Sequence, residues 1–146
     1  MKRQNSCNIH IKGHFVIRDA ITHHIYYKSD NLIVNTGKER LAEIILPSGG
    51  AMISQIGVGS NNTPPAVNQT NLLSPILWKD VDERSVYGAT ATFRTYFLSN
   101  EANGTWREVG IRANTSNNFL IARQVIPDLT KTNTMTVLVE WSLTFI

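Results

Sequence analysis

The strongest constraint in this chain lies at its end. Met135, Val137, Val139, Trp141, Leu143 and Phe145 alternate without a break against Thr134, Thr136, Glu140, Ser142 and Thr144, and Leu138 is the one apolar residue on the opposite side. A period of two over that length is the signature of a half-buried β-strand, because wound into a helix the same residues would be scattered over every face. One such strand cannot bury its apolar side alone, so the rest of the chain has to supply both the sheet and what covers it.

Ile9 to Arg18 alternates in part and predicts a strand, and Ile21 to Lys28 predicts a second that ends at Ser29-Asp30-Asn31. Thr36 and Glu39 stand at capping-box spacing, Leu41, Ile44 and Ile45 follow as an apolar stripe, and Pro47 with Ser48-Gly49-Gly50 stops the pattern. That predicts one short helix packed on a sheet. Ile53 to Gly59, Leu72 to Trp78, Val86 to Leu98, Trp106 to Ala113 and Phe119 to Ile126 continue as strands. Asn103-Gly104 reads as a tight hairpin that joins Val86–Leu98 to its return strand. Asn114 to Asn118 reads as a polar turn. The expected fold is mainly β, an antiparallel sandwich or barrel (jelly-roll-like) of roughly seven to nine strands with one short α-helix.

Composition agrees, since Asn and Thr contribute 28 of 146 residues while charged residues make up only 17%. Such residues favour turns and strand surfaces over long solvated helices. The length suits one domain, residues 9–146, preceded by a polar arm over 1–8. The final strand runs to Ile146, so the C-terminus is expected to be tied into the sheet, with no extension after it.

The charge balance of 14 basic against 11 acidic residues is only +3, and Lys2-Arg3 is the one adjacent basic pair, which counts against dedicated nucleic-acid binding. Cys7 is the sole cysteine, which fits a protein folded in a reducing cytosol, and no apolar run approaches a membrane span of about 18 residues. The four histidines lack the context of a zinc site. Gly57-Val58-Gly59 lacks the third glycine and the helix of a dinucleotide loop, and Asp80, Asp82 and Glu83 read as a solvated corner. No catalytic residue, cofactor or metal site is expected. The residues that stand out are the long loop Ser60 to Thr70 with Pro64-Pro65, the rings of Trp78 and Trp106, and Arg123, which sits among apolar neighbours. Trp141 reads as core. A buried Arg123 would need a carboxylate, and Glu108 is its expected partner in a structural ion pair.

Several short blocks occur in order: Asn31-Leu32-Ile33-Val34-Asn35-Thr36-Gly37, Ile56-Gly57-Val58-Gly59-Ser60 with Thr63-Pro64-Pro65, Asn100 to Ile111, Leu120-Ile121-Ala122-Arg123, and Val139-Glu140-Trp141-Ser142-Leu143-Thr144-Phe145. This order resembles a family of small tailed-bacteriophage virion proteins, found as capsid decoration (cement) proteins and as tail or fibre-associated modules. The resemblance covers about Asn31 to Ile146. It implies a non-enzymatic structural protein of the virion, assembled in the host cytoplasm, without cofactor or membrane contact. It further implies a homo-oligomer, with a trimer as the expected form, seated on the major capsid protein or on tail proteins. Candidate contact residues are Lys2, Arg3 and Asn5 of the arm together with Pro64, Pro65, Trp78 and Trp106. One compact domain without a shaft favours decoration of the capsid at junctions between its subunits. The alternative is a tail, baseplate or fibre-associated component that binds a receptor or glycan through Trp78, Trp106 and the Ser60–Thr70 loop.

Overall fold

The computed structural model describes residues 10–43, 52–113 and 118–146. Nine strands and one helix follow in the order β1 (Ile11–Asp19), β2 (Ile25–Ile33), α1 (Asn35–Glu43), β3 (Ile53–Gly59), β4 (Pro75–Asp80), β5 (Glu83–Tyr87), β6 (Thr90–Phe97), β7 (Gly104–Ala113), β8 (Phe119–Lys131) and β9 (Val137–Phe145). All neighbours pair antiparallel in the order β4-β3-β7-β8-β2-β1-β9-β6-β5. The sheet curls into a half-barrel, the antiparallel sandwich- or barrel-like β fold with one short helix that the alternation calls for.

The curl has its hinge in β2. Its body pairs with β1 from Gly13↔Asn31 to Arg18↔Ile25, whereas only Leu32 and Ile33 reach β8. On the opposite side the chain crosses between the halves just after β4. Val81 N donates to Ser54 O of β3, and Asp82 N donates to Arg94 O of β6. Between the halves lies one apolar cluster, in which Val137, Val139, Trp141 and Leu143 of β9 are buried with Phe15 and Ile17 of β1 and with Ile56, Val58, Trp106, Val109 and Ile111. The Trp141 ring lies 5.0 Å from Phe15, and Phe97 meets Trp106 edge-on at 5.2 Å. These are separations at which aromatic pairs add to simple burial.

Three local expectations are corrected. Val86 to Leu98 is two strands, not one, because Gly88 (φ 57) followed by Ala89 turns the chain in the manner of a type II′ hairpin and pairs Tyr87 with Thr90. Asn103-Gly104 is not a hairpin turn. β6 pairs with β5 and β9 while β7 pairs with β3 and β8, so this dipeptide leads from one half of the barrel to the other. The helix starts before Thr36, since its Lys38 N donates to Val34 O, and the Thr36 hydroxyl donates to Leu120 O at 2.8 Å instead of capping. The carbonyl on the adjacent strand takes the hydroxyl that local spacing assigns to the helix. Gly37 permits this approach, because a Cβ there would lie 2.3 Å from Ile121 O. The stop signal at Pro47 to Gly50, the apolar pair Ile44 and Ile45, and Asn114 to Asn117 lie outside the described residues.

The β1–β2 turn is set by Asp19. Its Oδ1 accepts from the amides of Ile21 (2.9 Å) and Thr22 (2.8 Å), and its Oδ2 accepts from the Tyr26 hydroxyl at 3.1 Å. The amides of Thr22 and Ile21 hold the carboxyl below its ordinary pKa. The folded state therefore favours the carboxylate, so this support is present above the unfolded pKa and is lost as pH falls through the folded one, below about pH 4. Protection of the Ile21 and Thr22 amides against hydrogen exchange is expected to drop in that window, and the drop should be absent in Asp19→Ala.

Candidate functional site

The outer face of β3, β7 and β8 departs most from what a solvated sheet would carry. Gly57, Gly59 and Gly110 follow one another across it, and a Cβ at any of them would collide with what covers the sheet: the Trp78 ring at Gly57, Glu108 Oε1 and Ser74 O at Gly59, and Leu72 at Gly110. The cover is the Trp78 ring of β4 together with the segment from Ser60 to Ser74, which contains the long Pro-Pro loop. Between loop and sheet lies a fully buried ion pair, with Arg123 Nη2 at 2.7 Å and Nε at 3.2 Å from Glu108 Oε2. The guanidinium also donates to Thr63 O (2.8 Å), Asn61 O (3.3 Å) and Gln69 Oε1 (3.2 Å). Glu108 Oε1 accepts from Ser74 N at 3.1 Å. Arg123 thus ties down the loop's front while Glu108 holds its end. The base of the helix joins in, since Asn35 N donates to Val67 O.

The clamp joins residues far apart in the sequence. Gly59 leaves room for Glu108 and Ser74, Asn35 holds the loop at Val67, and Asn61, Thr63 and Gln69 meet Arg123. The chemistry it can perform is positional. A carboxylate and a guanidinium that neutralise each other under a closed loop are a fastener, in which five donor contacts to the loop and to Glu108 saturate the Arg123 fork.

The candidate contact residues fare differently. Lys2, Arg3 and Asn5 lie outside the described residues. Pro64 is exposed and Pro65 half-buried in the clamped loop. Trp78 is half-buried, flat on Gly57, with the Arg112 guanidinium 4.2 Å from its ring centroid. Trp106 is corrected: it is fully buried against Phe97, and its Nε1 donates to Ala102 O at 2.8 Å, so it presents no ring to a partner. The polar residues flanking it in sequence belong to the opposite face of β7 and to the loop that its indole anchors.

A different group is placed for contact. Tyr87 is 92% exposed, Val86 77%, Ile146 67% and Phe145 44%. The first two stand at the tip of the β5–β6 hairpin. The last two end β9 beside it, where Phe145 N donates to Ala89 O. Sequence reading misses Val86 and Tyr87 because it runs them into one long strand; the single glycine at 88 is the only local mark of the tip. Next to this end the outer face of β6 and β9 carries paired hydroxyls, Thr90 with Thr144 at 2.9 Å and Thr92 with Ser142 at 3.2 Å. Its charges are gathered farther along, where Glu140 lies between Arg94 (2.6 Å) and Arg18 (3.3 Å).

No protein-family model, no curated protein and no solved structure matches this chain.

Proposed function

We propose that this protein is a non-enzymatic structural component of a bacteriophage virion, a decoration protein that sits as a small symmetric oligomer, a trimer, on junctions between major capsid subunits. The virion setting rests on the sequence resemblance. The observation that supports assembly as the task is the exposure of Val86, Tyr87, Phe145 and Ile146, four large side chains at one end of the sheet. Large exposed apolar side chains gathered at one end of a domain mark contact surfaces, with tyrosine prominent among the residues that anchor them. The hydroxyl-lined face beside them can be covered at lower desolvation cost than a charged one. The glycan-binding alternative loses a ring, because Trp106 is core and Trp78 is sandwiched between Gly57 and Arg112.

The test adds purified protein to particles that lack it and measures cosedimentation. Wild type is expected to bind intact shells, and the double variant Val86→Lys/Tyr87→Asp to bind at least about tenfold more weakly with its thermal midpoint unchanged, since neither side chain belongs to the core. Undiminished binding by the double variant would overturn this contact surface. Binding to tails alone would overturn the capsid assignment.

A further inference from the structure

Lys131 ends β8 directly across from Gly104 and is only 1% exposed. Its Nζ lies 2.7 Å from Leu98 O, 3.5 Å from Ser99 O and 2.8 Å from Asn103 Oδ1, all of them neutral oxygens. Burial lowers the pKa of its amine, and the charge of Glu101 opposes that only in part. Glu101 belongs to the same loop, and its Oε2 is 2.8 Å from Lys79 Nζ. The loop is pinned around these groups, with Glu101 N donating to Leu98 O and Trp106 Nε1 to Ala102 O. A desolvated amine, a side-chain amide in contact with it and a nearby carboxylate are the three groups needed to exchange one amide for another.

We propose that Lys131 and Asn103 become joined by an isopeptide bond that the folded protein forms by itself. As an ammonium Lys131 Nζ donates to Leu98 O, Ser99 O and Asn103 Oδ1, and loss of the third proton leaves a lone pair on the nitrogen beside the Asn103 amide. Nζ attacks Asn103 Cγ and a C–N bond forms. Glu101 accepts the proton that the nitrogen sheds and delivers it to the departing amide nitrogen. The Cγ–Nδ2 bond then breaks and ammonia leaves through the exposed side of Asn103. The amine and the primary amide become a secondary amide and ammonia, so no oxidant or co-reactant is consumed. The product ties the end of β8 to the loop that carries the chain from β6 into β7, two points 28 residues apart in sequence. It also removes the buried cation.

The decisive measurement is the intact mass of the purified full chain. The expected mass is about 17 Da below that of the sequence, the mass of one ammonia, with a tryptic product in which the peptides of Asn103 and Lys131 are covalently joined. Asn103→Ala and Lys131→Arg are each expected to restore the full sequence mass. Glu101→Gln, which cannot take up the proton, is expected to leave most of the protein unlinked. A folded wild-type chain at its full sequence mass would overturn the proposal. So would a chain about 1 Da heavier, which would show that Asn103 had been hydrolysed to Asp instead. The joined tryptic product of the wild-type chain decides between these results even if a variant fails to fold, and a chain about 17 Da light without it would show a succinimide at Asn103-Gly104 and overturn the proposal.

Discussion

Arg123→Ala is expected to destabilise the domain by about 3–5 kcal/mol, the usual cost of leaving one member of a buried ion pair behind. At this chain length that corresponds to a fall of roughly 10 °C or more in the thermal midpoint. Removing the guanidinium strands Glu108 in a fully buried position with Ser74 N as its remaining donor, and at the same time frees Thr63 O, Asn61 O and Gln69 Oε1. The loop should loosen together with the loss in stability, visible as reduced hydrogen-exchange protection at Ser60, whose amide donates to Ser74 O at 2.9 Å, and at Ser74, whose amide donates to Glu108 Oε1. Arg123→Lys is expected to rescue little, because one ammonium cannot reproduce a fork that serves Glu108 and three loop oxygens at once. Glu108→Met/Arg123→Met should be less destabilised than the sum of its single variants, since it removes both charges. Strictly additive losses would show that the two side chains do not act as a pair.

Trp106→Ala is the second large effect, with an expected cost of about 3–5 kcal/mol for a large ring removed from a packed core. The indole is fully buried, meets Phe97 edge-on and supplies the hydrogen-bond donor to Ala102 O. Its loss therefore opens a cavity and orphans a carbonyl in the same loop that Lys131 and Lys79 hold. A Trp106 serving as a ligand platform would give the opposite result, a normal thermal midpoint with loss of binding. Chemical denaturation of wild type and variant separates the two. Trp78→Ala, in which a half-buried ring on the outer face is lost, is expected to cost less than Trp106→Ala.

The difference between those two tryptophans shows where sequence stops being legible. Both border polar stretches, and which face each ring takes depends on strand neighbours distant in the chain: β7 between β3 and β8 for Trp106, and the glycine at 57 beneath Trp78. β9 is legible because one face is buried from Val137 to Leu143 and the alternation needs no knowledge of its partners. Glu108 and Arg123 are legible for a related reason, since an isolated charge among apolar strand residues has to be matched by its opposite. The Asn103-Gly104 dipeptide misleads because turn chemistry is local while strand pairing is not, and β6 finds β9 across the 39 residues between them instead of the strand that follows it. Thr36 misleads in the same way, its hydroxyl drawn to Leu120 O by tertiary contact. Lys131 carries no local signal, because nothing in Asp128 to Thr132 distinguishes a lysine folded back under a loop from one in solvent.

Gly59, Glu108 and Arg123 serve the clamp that fastens the Ser60–Ser74 segment to the sheet, whereas the surface proposed for a partner is the hairpin tip and the end of β9.

The proposed place on a virion is tested most directly by a particle reconstruction. Copies are expected as three-fold clusters at junctions between major capsid subunits, with the Tyr87 and Phe145 end turned toward a neighbouring chain and buried. Density confined to the tail, or copies on the shell with that end facing solvent, would contradict it.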